Sequence, residues 1–226
     1  MSNILSKLWS FGKSRSNKSL VSSDNTGDSQ NLDIYWDDKF AEMLETWGEK
    51  HVWREVQLLL RNVNGSVLDI ACGTGVAMKV LIDSLGLDVH GFDISDTLIE
   101  KAILNGLPED KLKVCDATNM DKYSDDSFEA SYSIGSLEHF TEEGIDSFLR
   151  ESARVTDGFS YHMIPLSRKD IDEGWITPLQ SYFNNSEDWW RQKFEKHFTE
   201  VQFLPSGWDD EISIGVWICC KCQDSS

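Results

Sequence analysis

Three things are scarce in this 226-residue sequence, and each scarcity removes a class of function. It has no uninterrupted apolar stretch of the roughly 18 residues that a spanning helix needs, so no stable membrane insertion is expected. Positive charge is short: 21 Lys and Arg stand against 39 Asp and Glu, a formal net charge of −18. That field repels a phosphate backbone, so nucleic acid is not an expected partner. Cysteines are few and odd in number. Cys72, Cys115, Cys219, Cys220 and Cys222 have no regular spacing and do not make a secreted disulfide framework. Cys220 and Cys222 form a C-x-C beside Cys219. Without a further ligand at metal-binding spacing, the tract reads as small apolar thiols on a terminal strand rather than a soft-metal clip.

What is present is globular. Apolar residues make up 40% and aromatics 11%, with nine Trp, enough for one domain with its own core. Residues 1–31 stand apart as a Ser- and Asn-rich leader without glutamate, with Lys7, Lys13, Arg15 and Lys18 against Asp24 and Asp28. Ile4, Leu5, Leu8 and Trp9 fall at helical spacing, which suits a short amphipathic helix touching a membrane or partner. The apolar set spans barely two turns, so a flexible leader is the favoured reading. Lys7 interrupts the apolar run and no A-x-A site follows, so a secretory signal is not expected and the location is taken as cytoplasmic.

From residue 32 to 226 the pattern is regular. Phe40, Met43, Leu44 and Trp47 share one helical face, and Val52, Val56, Leu59 and Leu60 another. Strands are expected at 66–71, 88–93, 112–115, 128–134, 159–164, 201–204 and 212–219. Helices are expected at 76–85, from the Ser95 cap to about 105, at 142–155 and at 186–198. This alternation predicts an α/β fold, a doubly wound and mostly parallel sheet. The polar turn at Ser206, Gly207, Asp209 and Asp210 adds one antiparallel strand by hairpin.

The richest segment is Val67-Leu68-Asp69-Ile70-Ala71-Cys72-Gly73-Thr74-Gly75, a strand, a glycine turn and a helix start. Such a turn lets backbone N–H groups approach a ligand, and the helix N-terminus favours negative charge. A dinucleotide pattern would place a third glycine where Met78 stands. Asp69 suits a ligand with a positive amine and is unhelpful beside a pyrophosphate. Asp93 ends the next strand, where a carboxylate can accept two ribose hydroxyls. Asp116 ends the third strand at the same edge.

Four blocks, L-D-I-A-C-G-T-G at 68–75, G-F-D-I-S at 91–95, C-D-A-T at 115–118 and S-I-G-S-L-E-H-F at 133–140, together resemble the class I S-adenosylmethionine-dependent methyltransferases over about residues 33–222. The resemblance implies that family's Rossmann-like, seven-stranded fold and S-adenosyl-L-methionine as cofactor. Asp69 and the turn Ala71, Gly73, Gly75 would then meet the methionine moiety, and Asp93 the ribose. Ile94 would pack on adenine, and Asp116 and Ala117 would contact its edge. Ser133 and Ile134 would lie beside the sulfonium. Ala71 replaces the family's common first glycine. Tyr35 resembles an N-terminal aromatic that closes over the cofactor in related small-molecule enzymes.

The loop Leu137-Glu138-His139-Phe140 resembles that of sugar and quinone O-methyltransferases, where a His often deprotonates a hydroxyl. His139 is therefore the expected base, with loop shaping or helix capping as its alternative role. Glu138 would orient the ring or join a divalent-metal site, and no metal ligand set is assigned. His162 reads as a core or surface residue. Residues 166–185 form an insertion over the substrate face, with Trp175, Gln180, Tyr182 and Asn184 suited to stacking and hydrogen bonding. Trp189 and Trp190 read as core and cover. The expected acceptor is a small molecule or glycan, methylated at oxygen. Small-molecule N-methylation and a NAD-dependent oxidoreductase are the alternatives.

Overall fold

The computed structural model of the chain describes residues 37–45, 51–176 and 181–223. The leader 1–31, Tyr35 and Trp47 lie outside the described residues.

Val67, Leu68 and Ile70 of strand Ser66–Ile70 (β1) are completely buried. Residues 67 and 68 point to opposite faces, so the strand needs cover on both and sits mid-sheet between helical layers. β1 pairs in parallel with Asp88–Asp93 (β2) and with Phe128–Ile134 (β4). Leu112–Val114 (β3) flanks β2, and Thr156–Ser167 (β5) flanks β4. Glu200–Asp209 (β8) and Ser213–Lys221 (β9) form a hairpin, and β9 inserts antiparallel between β5 and β8. The order is β3-β2-β1-β4-β5-β9-β8, the seven-stranded, mostly parallel sheet with one antiparallel strand that the sequence predicts.

The helices are Asp38–Leu44 (α1), Val52–Leu60 (α2), Val76–Leu85 (α3), Asp96–Leu104 (α4), Glu142–Val155 (α5) and Glu187–Phe194 (α6). Hydroxyl caps set three of their starts: Ser95 accepts from the Leu98 N–H at 3.2 Å, Thr141 from Gly144 at 3.1 Å, and Ser186 from Trp189 at 3.2 Å. Val56, Leu60, Met78 and Leu81 cover one sheet face, and Phe148, Leu149, Trp190 and Phe194 the other. Each such side chain stabilises the fold by about 1.5–3 kcal/mol when fully buried.

Three boundaries differ from expectation. The last hairpin does not turn at 206–210. Ser206 and Gly207 stay within β8, whose register shifts between Pro205 and Asp209. The cause is Glu55 of α2, whose carboxylate accepts from the Ser206 hydroxyl (2.6 Å), the Gly207 N–H (2.6 Å) and the Trp217 indole (2.8 Å). The turn falls instead where Asp210 Oδ1 accepts from the N–H groups of Ile212 and Ser213. The helix expected over 186–198 ends at Phe194, and Phe198 folds into the core. β5 runs on to Ser167, and the insertion after it holds a two-stranded hairpin, Trp175–Ile176 (β6) with Tyr182–Phe183 (β7). Its aromatics do not stand free. Trp175 meets Phe183 at 4.9 Å, and Phe183 meets Trp189 at 5.0 Å, which ties the hairpin to α6. Trp189 and Trp190 are cover and core, as their spacing suggests.

A polar thread crosses the core between β4 and β5. Thr156 donates to Ser131 at 2.7 Å, Ser131 meets Ser160 at 2.7 Å, and Ser160 meets His162 Nε2 at 2.9 Å. Ser133 closes the thread at Nδ1, 2.8 Å away. All five residues are completely buried, with Phe148, Phe194 and Phe198 around the imidazole. Desolvation holds the His162 pKa down to about 3. An unfolded imidazole titrates near 6.5, so the unfolded chain binds the extra proton, and stability falls as pH drops from about 6.5 to about 3. His162→Gln should be less stable than wild type at pH 7, and the gap should narrow at pH 4. Urea unfolding at both pH values checks this, and a constant gap would contradict it.

Candidate active site

β1 runs into a bend with three left-handed residues in five: Ala71 (φ 59°), Gly73 (φ 55°) and Gly75 (φ 76°). Alanine at such an angle costs roughly 1–2 kcal/mol where glycine costs little. Gly75 is needed for a second reason, since a Cβ there would lie 2.1 Å from Leu107 Cδ1. Leu44 of α1 packs over Gly73. α3 starts directly after the bend, so its N-terminus lies at the same rim.

Asp93, at the end of β2, locks the bend. Its Oδ2 accepts from the Gly73 N–H at 2.9 Å and its Oδ1 from the Ser95 N–H at 3.0 Å. Asp69, one strand over, accepts from the Tyr132 hydroxyl at 2.7 Å. Both acids are buried, and burial raises both pKa values. The Tyr132 hydrogen bond opposes the shift at Asp69, and the nearby Asp93 adds to it. Among the described residues, neither acid takes part in any ion pair with Lys, Arg or His. The rim is thus two desolvated carboxyls held by neutral donors, a setting that favours an entering cation. Met78, where a dinucleotide site would have glycine, is completely buried, and a Cβ on Gly91 would lie 2.4 Å from its sulfur.

The remaining rim residues divide. Asp116 is exposed and turned onto Thr118, accepting from its N–H and hydroxyl at 2.8 Å each, while Ala117 is buried beside it. Ile94 and Ile134 are half-buried at the ends of β2 and β4. Ser133 corrects an expectation. Its side chain belongs to the polar thread under α5, so only its backbone reaches the rim. Tyr132 was not singled out by sequence, although its register opposite Asp69 across β1 and β4 follows from two adjacent parallel strands.

Glu138 and His139 sit in the short 3-10 turn Leu137–His139 after β4. His139 Nδ1 lies 2.8 Å from the Ser181 carbonyl oxygen. A carbonyl only accepts, so Nδ1 carries the proton and Nε2 keeps its lone pair. Burial pushes the His139 pKa down to about 4, so the ring is neutral near pH 7. Glu138 Oε1 is 3.8 Å from Nε2, too long for a hydrogen bond. Burial lifts the Glu138 pKa to about 8. The Tyr182 ring stands edge-on to His139, centroids 6.1 Å apart, a neighbour supplied by the hairpin that sequence periodicity could not place. The cysteine tract is strand. Cys219 and Cys220 point to opposite faces of β9, and burial raises the pKa of all three thiols.

The seven-strand order is that of the class I methyltransferase fold. Residues 67–157 match the family model described as a methyltransferase domain, which together with the strand order supports a class I S-adenosylmethionine-dependent methyltransferase. O-methyltransferase resE of Aspergillus sclerotiorum is 28% identical over 131 residues, 54% of this chain. The matched region spans 50% of that relative's length. A Burkholderia thailandensis 1,6-didemethyltoxoflavin-N1-methyltransferase, solved with 1,6-didemethyltoxoflavin and S-adenosylhomocysteine, is similar in fold. Its TM-score is 0.57 at 16% identity over 83% of this chain and 81% of that one. A chain of the Haloferax volcanii complex with the Trm112 methyltransferase activator gives a TM-score of 0.63 at 16% identity, over 84% and 96% of the two chains. Among the described residues no helix is long and apolar enough to cross a membrane, and no three His, Cys, Asp or Glu side chains form a metal-ligand group.

The Glu138 carboxyl carries a stability consequence. Its pKa rises from an ordinary 4.5 to about 8 on folding, so the folded state holds the extra proton, and stability falls as pH climbs through that interval. Glu138→Gln cannot ionise. Its melting temperature relative to wild type should therefore be higher at pH 8.5 than at pH 5. Thermal melts at the two pH values test this, and a pH-independent difference would refute it.

Proposed function

We propose that the chain transfers a methyl group from S-adenosyl-L-methionine to a hydroxyl oxygen of a small-molecule or glycan acceptor. The observation that carries the cofactor half is the pair Asp69 and Asp93, both buried and, among the described residues, both outside any ion pair, on either side of the left-handed bend. Such a pair fits a ligand with a positive centre and a ribose, and fits a pyrophosphate poorly. Buried Met78 in the third-glycine position supports this over the NAD-dependent alternative. Asp93 would accept from the ribose hydroxyls and Asp69 would face the amino-acid end. Ile94, Asp116 and Ala117 would border the adenine. The backbone of Ser133 and Ile134 would border the reacting centre. When bound, the cofactor supplies a methyl on a positively charged sulfur that leaves as a neutral thioether.

The chain's own part is positioning and proton transfer. His139 would take the hydroxyl proton at Nε2, since Ser181 fixes the tautomer that leaves this atom free. Glu138, adjacent and holding its proton near pH 7, would ionise in response to the imidazolium that results and so stabilise it. The fungal O-methyltransferase relative supports oxygen as the acceptor atom.

Asp93→Ala should weaken S-adenosyl-L-methionine binding by about 1–3 kcal/mol, the scale of lost hydrogen bonds to a charged group. Calorimetry with S-adenosyl-L-methionine and with NAD checks this, and unchanged affinity or preferential NAD binding would sink the cofactor reading. His139→Ala should lower kcat by about 100-fold or more, the lower scale of general-base catalysis, with cofactor affinity unchanged. Single-turnover transfer to a responsive phenol or sugar tests this, and a fully active variant removes His139 as the base.

A further inference from the structure

Among the described residues, only two carboxyl oxygens are buried without a hydrogen-bond partner: Glu138 Oε2 and Asp210 Oδ2. Their residues are 5% and 6% exposed. They lie far apart in sequence, one in the turn after β4 and the other in the turn between β8 and β9. Tyr182 joins them in space. Its ring stands beside His139, whose Nε2 is 3.8 Å from Glu138 Oε1. Its hydroxyl is 3.3 Å from Ser213 Oγ, and the Ser213 N–H donates to Asp210 Oδ1 at 2.6 Å. Burial is the main cause that lifts the Tyr182 pKa to about 12; the Ser213 hydrogen bond opposes it, and the charges of Asp210, Glu138 and Glu173 add to it.

The cations nearby are committed elsewhere. Lys169 pairs with Glu173 at 2.8 Å, and Asn184 also donates to Glu173, which leaves that third acid satisfied. Arg168 donates to the Asp209 carboxylate at 2.7 Å and to the carbonyls of Asp210 and Ser213. His139 is neutral, as its tautomer and burial require. A buried acceptor left unpaired is destabilising unless something supplies a donor.

We infer that Glu138, Tyr182 and Asp210 form a subsite for a protonated amine carried by the methyl acceptor. An ammonium has three N–H donors for the two orphaned oxygens, and its charge favours ionisation of the Glu138 carboxyl, which holds a proton near pH 7 in the empty site. The tyrosine ring adds a cation–π contribution. A neutral hydroxyl offers a donor without the charge, and a carboxylate or phosphate brings no donor to the orphaned oxygens. The same subsite places the amine next to His139, so the inference rests on the proposed methyl transfer and adds the acceptor's chemical class.

The test uses the full-length chain saturated with S-adenosylhomocysteine, whose own binding is measured first. Two matched sets are titrated by calorimetry: tyramine, tyrosol and 4-hydroxyphenylacetate, then glucosamine, glucose and glucuronate. In at least one set the amine should bind about tenfold more tightly than its alcohol and carboxylate counterparts. Glu138→Gln and Asp210→Asn should each bring that ratio close to one while leaving S-adenosylhomocysteine affinity unchanged. Asn keeps the Oδ1 acceptor that caps the β8–β9 turn, and the Glu138 variant alone decides if the Asp210 variant does not fold. The inference is overturned if no amine binds, if the alcohol or carboxylate binds as well as the amine, or if the preference survives substitution. Failure of S-adenosylhomocysteine to bind overturns the cofactor reading instead, which keeps the two outcomes separate.

Discussion

The carboxylate of Asp93 ties together three elements. It ends β2, caps the approach to α4 through the Ser95 N–H, and reaches across to hold the Gly73 N–H in the bend after β1. The bend itself is unfavourable, with an alanine among its left-handed residues. Its shape therefore depends on the packing of Leu107 against Gly75 and of Leu44 over Gly73, and on this one buried acid. A carboxylate this desolvated is itself under tension, so the rim is stable only as a unit. That is how a functional rim differs from a turn that merely reverses the chain.

The acids at this edge of the sheet have a common character. Asp69, Asp93 and Glu138 are all desolvated and all have raised pKa values, and among the described residues none is matched by a lysine or arginine. The scarcity of positive charge noted in the sequence is thus concentrated where ligands are proposed to enter. Arg154 and Glu55, by contrast, are fully used in structure: Arg154 binds Glu151, Asp125 and two carbonyls under the loop before β4, and Glu55 holds the β8 bulge. Where the fold needs stability, charged groups have their hydrogen bonds filled. Where the proposed chemistry lies, they are left poised.

Much of this was legible in the sequence, for reasons that can be named. β1, β2 and β4 are apolar runs bounded by glycine or aspartate, and α5 carries a cap and a clear apolar face, so periodicity finds them. The bend and its two acids are visible because glycine and aspartate are constrained by backbone angle and solvation. What escaped depended on partners distant in the chain. The β8 turn moved because Glu55, about 150 positions earlier, captures Ser206 and Gly207. The β6–β7 hairpin has only two residues per strand, too few for a period. Ser133 was placed at the rim, but strand alternation and the imidazole of His162 turn its hydroxyl inward.

The position of β9 has an implication for how the molecule is made. Among the described residues it is the last strand in sequence, yet it lies inside the sheet and joins β5 to the edge strand β8. Emerging N-terminus first from a ribosome, the growing polypeptide leaves the lateral margin of β5 without hydrogen-bond partners until residues near 221 are synthesised. Nascent chains paused short of that point would present an open β-edge to one another, the geometry from which intermolecular aggregation starts.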